Sequence, residues 1–245
     1  MSNKIRLDLL LVQRGLVESR EKAQALIRAG SVRIADQPVT KPGHTYPDDT
    51  EVEVEQPPQF VGRGGEKLVA ALDTFSIPIE SRVAIDVGAS TGGFTDCLLQ
   101  HGARHVYAVD VGKGQLHWSL RQDERVTPIE GLNARHLEPD LFEHKPDLAV
   151  VDVSFISLTK ILPALSRVLQ SGHDVITLIK PQFEAGREQV GKGGVVKDPR
   201  VHQEVQRRIR AFGEEEMGWN WQAVCRSPIT GPAGNVEFLA WWKVA

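Results

Sequence analysis

Apolar residues along this chain follow two rhythms, and the change from one to the other near residue 60 divides it in two. Before that point the pattern is helical. Leu7, Leu9, Leu10, Leu11 and Val12 make one short stretch, and Ala23, Leu26 and Ile27 make another behind Ser19, a good N-cap. Gly30 reads as a C-cap, Ser31-Val32-Arg33-Ile34 begins a short strand, and residues 50–54 alternate apolar and acidic positions like a surface strand. Gln56-Pro57-Pro58-Gln59 is a linker. Beyond it, compact apolar runs at 83–87, 105–110, 148–153 and 175–180 alternate with helical stretches at 67–74, 158–169 and 201–212, and a further helix opens at Asp96-Cys97-Leu98-Leu99. Residues 223–225 and 235–242 flank a turn-rich loop and predict a terminal β-hairpin. This alternation predicts an α/β domain over 61–245 with a doubly wound, largely parallel, Rossmann-like sheet, and a smaller domain over 1–60. The pattern leaves Trp241-Trp242 open between core and interface, and Trp219 and Trp221 equally so.

Candidate chemistry concentrates where the first of the later runs ends. Val83-Ala84-Ile85-Asp86-Val87 leads into Gly88-Ala89-Ser90-Thr91-Gly92-Gly93-Phe94-Thr95, at the carboxyl end of a strand, where open α/β sheets place their ligands. Glycines at 88, 92 and 93 remove the Cβ atoms that would hold a ligand away from the backbone. Asp110 ends the next run, about twenty residues on, where nucleotide-binding sheets put an acceptor for ribose hydroxyls. The turn is G-A-S-T-G-G rather than G-x-G-x-x-G, and Asp86 would repel a pyrophosphate while suiting a cationic amino-acid end. S-adenosylmethionine, with an ammonium, a sulfonium and a ribose, fits these two acids better than a dinucleotide does. The glycines alone are equally those of a tight strand-to-helix turn; Asp110 in register favours the cofactor. Asp86, Gly88, Ser90 and Gly92 would then surround the methionine end, with Gly93 in the same turn and Phe94 and Thr95 close by. Asp110 would accept from the ribose and Val111 pack on the adenine, while Asn133 would lie near the adenine edge or simply form a turn.

Charge and composition narrow the picture. The net charge of −3 over 245 residues excludes a uniformly basic surface but hides a local one. Residues 1–47 carry eight Lys or Arg against four acids, offset by five acids between 48 and 55. Arg20, Lys22 and Arg28 are read as neighbours on the second helix, either a phosphate-facing patch or a solvated face. Cys97 and Cys225 have no metal-like or disulfide spacing, so no metal is expected. The start lacks the apolar core of a signal peptide, and no apolar run reaches membrane-spanning length; a cytoplasmic protein is expected.

Arg6-Leu7-Asp8, Ser19-Arg20-Glu21-Lys22-Ala23, Ile27-Arg28-Ala29-Gly30 and Val32 together resemble the S4 RNA-binding module. With Gly62-Arg63-Gly64-Gly65-Glu66-Lys67-Leu68 and the Asp86 turn, the whole chain resembles the TlyA family of S4-linked, FtsJ-like 2′-O-methyltransferases of ribosomal RNA, also labelled haemolysins. The resemblance implies a small α+β S4-like domain in which Arg6, Arg20, Lys22 and Arg28 meet RNA. It implies ribosomal RNA or ribosomal subunits as partner, cytidine ribose as acceptor and no membrane. It also assigns catalysis to Lys67, Asp152, Lys180 and Glu237. Lys180 would accept or orient the hydroxyl proton, Asp152 would position Lys180, and Glu237 would hold Lys67 and the ribose. A lysine takes a proton near neutral pH only where burial or a nearby cation disfavours its ammonium form.

On residue pattern alone, Lys67 is equally an exposed helix residue, Asp152 a helix cap and Glu237 a surface acid, whereas Lys180 ends an apolar run at the ligand edge. The Gly-rich segment 186–199, with Arg187, Lys192 and Lys197, reads either as a mobile loop that closes over RNA or as a long disordered connection. The rival readings are an RNA-binding protein with an inactive cofactor pocket, a small-molecule methyltransferase and a membrane-active haemolysin.

Overall fold

A computed structural model describes residues 3–55 and 58–245; residues 1, 2, 56 and 57, which include the chain start and half of the expected linker, lie outside the described residues. The chain forms two compact units, Met1–Pro58 and Gln59–Ala245. In the first, β1 (Lys4–Arg6) runs into α1 (Leu7–Gln13), and α2 (Arg20–Arg28) follows with the Ser19 hydroxyl accepting from the Lys22 N–H. Leu7, Leu10, Leu11, Val17, Ala23, Leu26, Ile27 and Val32 close its core. β2 (Val32–Ile34) lies between β3 (Gln37–Pro38) and β5 (Glu53–Val54), while β4 (Thr45–Pro47) pairs with β1. The strand expected over 50–54 is thus only its last two residues.

The second unit is a doubly wound sheet. Its strands are β6 (Val83–Val87), β7 (His105–Asp110), β8 (Val126–Glu130), β9 (Leu148–Val151), β10 (Asp174–Ile179), β11 (Asn220–Arg226) and β12 (Phe238–Lys243), in the spatial order β11-β12-β10-β9-β6-β7-β8. The five from β10 to β8 are parallel, and the expected terminal hairpin adds two antiparallel strands at one edge. Side chains alternate between the faces. Ala84, Val106, Val150, Ile176 and Leu178 meet α3 (Gly64–Phe75) and α4 (Gly93–Gln100), while Ile85, Val109, Val151 and Ile179 meet α6 (Leu162–Val168) and α8 (Pro199–Ala211). Short helices α5 (Trp118–Arg121) and α7 (Pro181–Glu184) complete the unit. The order reverses between β6 and β9, which opens a crevice at their carboxyl ends.

Three expectations shift. The helix over 158–169 breaks into a 3-10 turn, Leu158–Lys160, and α6, because Pro163 has no N–H to offer and is tolerated only in a first turn. Helix α4 starts at Gly93, three residues before the expected Asp96. The two tryptophan questions resolve toward the core: Trp242 is fully buried against Trp219 and Trp221, while Trp241 stacks on Phe75 at 5.9 Å on the other face. No helix among the described residues is long and apolar enough to cross a membrane.

A single π turn at Phe212–Glu216 follows α8, and a Cβ on its Gly213 would lie 2.2 Å from the Trp242 ring. Gly213→Ala therefore overpacks this face and should cost about 1–3 kcal/mol. Thermal unfolding should show a Tm lower by several degrees, with the same folded circular dichroism.

Candidate active site

The parallel strands deliver their last residues to one edge. A cleft of about 480 Å3 lies there, lined by Gly88, Ser90, Asp110, Val111, Gln115, Leu132, Asn133, Asp152, Ser154 and Phe155 among others. Gly88 has φ +88°, and a Cβ there would sit 2.4 Å from the Asp152 carbonyl oxygen, so glycine is what lets the turn after β6 lie against the end of β9. Both Asp110 oxygens already accept backbone N–H groups, from Ser90 (2.8 Å) and Gly112 (2.7 Å). A carboxylate has about four lone-pair sites, which leaves capacity for hydroxyls. Asn133 lines the cleft and also accepts from the Arg135 N–H at 3.1 Å, the hydrogen bond of a turn-forming Asn. Val111 is 71% exposed at the wall. Gly92, Gly93 and Phe94 do not line the cleft. The early start of α4 turns them inward, so that Gly92 faces Leu116 and Leu120, Gly93 lies against Gly62 and Gly65, and Phe94 is buried in the core.

Asp86 is fully buried at the end of β6. Its Oδ2 accepts from the Thr95 N–H (2.9 Å) and hydroxyl (2.7 Å), capping α4, while Oδ1 has no hydrogen-bond partner among the described residues. Burial pushes the carboxyl up to about 7 against the pull of the Thr95 hydrogen bonds, and the charges of Asp152 and Asp110, both in the cleft wall, add to the rise. A buried acid with one oxygen unmet fits a cationic group better than an empty fold requirement.

Two ion pairs, one buried and one half-buried, stand at the same edge. Lys67, from the first turn of α3, donates to Glu237 Oε2 at 2.5 Å, and both side chains are under 10% exposed. Lys180, one residue past β10, donates to the Ser154 hydroxyl at 2.8 Å and lies 2.5 Å from Asp152 Oδ1, an oxygen with no aligned hydrogen-bond donor among the described residues. Gln182 donates to Glu237 Oε1 at 3.3 Å. The structure thus brings all four of Lys67, Asp152, Lys180 and Glu237 to one edge, although Glu237 has no independent signal in the sequence. Sequence reasoning misses Gln182 and Glu184, whose only signal is their place directly after a strand-ending lysine.

Segment 186–199 is not a featureless connection. A 3-10 turn (Arg187–Gln189) leads to a tight loop closed by a bridge between Gly191 and Val195, and buried Val196 donates its N–H to Asn235 Oδ1 at 2.9 Å. Asn235 also donates to the Gly194 carbonyl, and His202 meets the Val196 carbonyl. Arg187, Lys192 and Lys197 are exposed.

In the first unit the four expected RNA cations separate. Arg20 and Arg28 lie on one face of α2 with Gln24 between them, whereas Lys22 points elsewhere and pairs with Glu18 at 3.2 Å. Arg6 and Arg20 converge instead on buried Asp8: Arg6 binds both its oxygens, and Arg20 and Gln24 share Oδ2. The Arg6 hydrogen bonds hold the Asp8 carboxyl well below the usual carboxylate range.

A seven-stranded sheet in this order, with acids at the carboxyl ends of β7 and β9 lining one cleft and Asp86 buried at the end of β6, is the architecture of a methyltransferase. The family model for FtsJ-like methyltransferases matches residues 60–244 and that for the S4 domain matches residues 5–52, so the chain belongs to the FtsJ-like methyltransferases and carries an S4 domain. It is 50% identical over 240 residues to the candidate rRNA methyltransferase YqxC of Bacillus subtilis, spanning 97% of this chain and 85% of that protein. It is 47% identical over 247 residues to the 16S/23S rRNA (cytidine-2′-O)-methyltransferase TlyA of Mycobacterium tuberculosis, spanning 99% and 91%. A solved structure of a candidate hemolysin from Streptococcus thermophilus matches with TM-score 0.75 at 45% identity, covering 100% of this chain and 90% of that one.

The Asp86 carboxyl has a direct consequence for stability. Its folded-state value near 7 exceeds the ordinary 3.8, so the folded protein holds a proton that the unfolded chain releases between these values. This contribution is complete below the ordinary value and is lost as pH rises toward 7. Urea unfolding of the cofactor-free protein at a series of pH values should show that fall, and Asp86→Asn should remove it.

Proposed function

We propose that this chain methylates the 2′-hydroxyl of a ribose in ribosomal RNA, with cytidine as the acceptor nucleoside, as the names of its relatives indicate for them. S-adenosylmethionine supplies a methyl group already activated by its sulfonium, so the protein's task is chiefly alignment and handling of one proton. Asp86, with Oδ1 unpartnered among the described residues, would hold the cofactor ammonium, Asp110 would accept from its ribose, and Gly88 and Ser90 would border the methionine end. The reading is carried by one observation: Asp152 and Ser154, which hold Lys180, are also walls of the cofactor cleft. On this reading the lysine stands at the border between cofactor and acceptor.

Lys180 Nζ orients the acceptor oxygen. Lys180 first passes one proton to Asp152 Oδ1, the oxygen with no aligned donor, and its neutral amine would then take the hydroxyl proton as the O–C bond forms and the methyl–sulfur bond breaks. The Lys180–Asp152 pair begins and ends with the same total charge once that proton reaches solvent. Glu237 fixes Lys67 and also accepts from Gln182, so a second donor would be available to the ribose. In the S4 domain, Arg6 and Arg20 present their exposed guanidinium faces to the RNA backbone, with Lys22 and Arg28 at the margin. The reading places RNA-binding in residues 1–60 and methyl transfer in 61–245.

The test is transfer of labelled methyl from S-adenosylmethionine to purified bacterial ribosomal subunits. Label should appear in ribose 2′-O positions, and Lys180→Ala should lower kcat by about 10²–10⁴-fold while cofactor affinity stays within a few-fold. Label that survives in the variant would move the proton-handling role elsewhere. No label on any subunit or naked RNA, despite cofactor binding, would leave an RNA-binding protein.

A further inference from the structure

Glu184 is a buried acid for which the chemistry above has no use. It ends α7, the short helix that starts immediately after Lys180, and it is 6% exposed. Its Oε2 accepts from the Ser157 hydroxyl at 2.6 Å and its Oε1 from the Leu158 N–H at 2.7 Å, the latter a donor in the buried interior. Burial raises its carboxyl above the ordinary value, a penalty that a neutral side chain at this position would avoid. The Arg208 guanidinium stands 3.8 Å from Oε2 and donates to the Glu184 backbone carbonyl.

What those hydrogen bonds join is informative. Residues 152–157 form the loop after β9. Asp152 and Ser154 hold Lys180 at one end of that loop, and Ser157 with Leu158 are held by Glu184 at the other. Between them Phe155, with φ +63°, lies 5.0 Å from the Phe183 ring on α7. Loop and helix are therefore tied at both ends, and the stretch between the ties is a wall of the cofactor cleft. Without Glu184 the Ser157–Leu158 end of the loop would lose both of its hydrogen bonds to α7, leaving that end held by packing alone.

We infer that Glu184 is a positioning residue for methyl transfer: by fixing the far end of the loop, it sets where Asp152 and Ser154 hold the Lys180 ammonium relative to the cofactor cleft. This rests on the role given to Lys180 above. A misplacement of about 1 Å in such an arrangement lowers a rate by about 10²-fold, so the effect belongs in kcat rather than in substrate affinity.

The experiment compares Glu184→Ala, Glu184→Gln, Ser154→Ala and the Glu184→Ala/Ser154→Ala double variant in full-length protein. It reads single-turnover methyl transfer to ribosomal subunits, KM for the subunits, cofactor Kd and Tm. Glu184→Ala should lower kcat at least about tenfold with KM and cofactor Kd within about threefold. Glu184→Gln, which can still accept from the Leu158 N–H, should recover most of the rate. The double variant should be little worse than the poorer single one, since both act through Lys180. Should Glu184→Ala prove too unstable to assay, Ser157→Ala reads the same tie, with a smaller loss of kcat in the same direction. A folded Glu184→Ala with kcat within about threefold of the parent overturns the inference, as do additive effects or losses that merely follow Tm. If Lys180→Ala keeps full activity, the role of Lys180 itself fails, a different result from any of these.

Discussion

Charges can leave water only in company, and that requirement shapes the functional edge of this molecule. Lys67 and Lys180 are both nearly buried, and each has one carboxylate at 2.5 Å. An ammonium stripped of its partner in such a place leaves an uncompensated charge that costs about 3–5 kcal/mol. The pairs are therefore obligatory once the lysines are there, and they join distant parts of the chain: Lys67 and Glu237 are 170 residues apart. The parallel sheet makes this possible. β9 and β10 run side by side and release Asp152 and Lys180 at the same end, while β12, running the other way, begins one residue after Glu237.

Asp86 shows the opposite case, a buried carboxylate without a cation. Thr95 satisfies one oxygen and the other is left, with the carboxyl driven up to about 7 by burial. A structural cap needs only the first oxygen. Ion pairs elsewhere are complete: at the amino end of the same sheet, Arg82 meets both Asp147 and Asp174, and Lys243 and Trp241 take the remaining side of Asp174. The contrast between a satisfied network at one end of the strands and a deficient acid at the other is what a ligand site at the carboxyl edge would leave behind.

Much of this was legible in the chain because strand-forming runs carry their own punctuation. Acids at 86, 110 and 152 and a lysine at 180 each close an apolar run, and parallel pairing then carries them to one edge without any further information. Glu237 was not legible in that way. Its neighbours Asn235 and Val236 give it no pattern, and its significance comes from a contact across the whole domain. The same holds for Glu184 and Gln182, whose partners belong to another loop and another strand end. Glycines misled in one respect. Gly92 and Gly93 look like ligand glycines, yet the absent Cβ atoms make room for Leu120 and for the close approach of α3 to α4. Charge runs misled in another: Arg20, Lys22 and Arg28 are close in sequence, but a helix of 3.6 residues per turn sends the second away from the other two.

The first unit meets the same electrostatic requirement with the roles exchanged. There the buried partner is the acid, Asp8, and the cations Arg6 and Arg20 keep 42% and 48% of their side chains exposed. Two guanidiniums brought together without Asp8 would repel each other. With Asp8 between them they form a fixed group of net charge +1 whose outer N–H donors remain free to turn toward solvent. Ordering two arginine side chains before a partner arrives removes about 0.5–1.5 kcal/mol of ordering cost per side chain from the binding step. In the proposed role this is an exchange of net charge for preorganisation: Asp8 halves the attraction of the pair for a phosphate backbone and fixes the geometry with which it is presented. That choice suits a unit whose stretch from 48 to 55 is itself acidic and cannot hold RNA by charge alone.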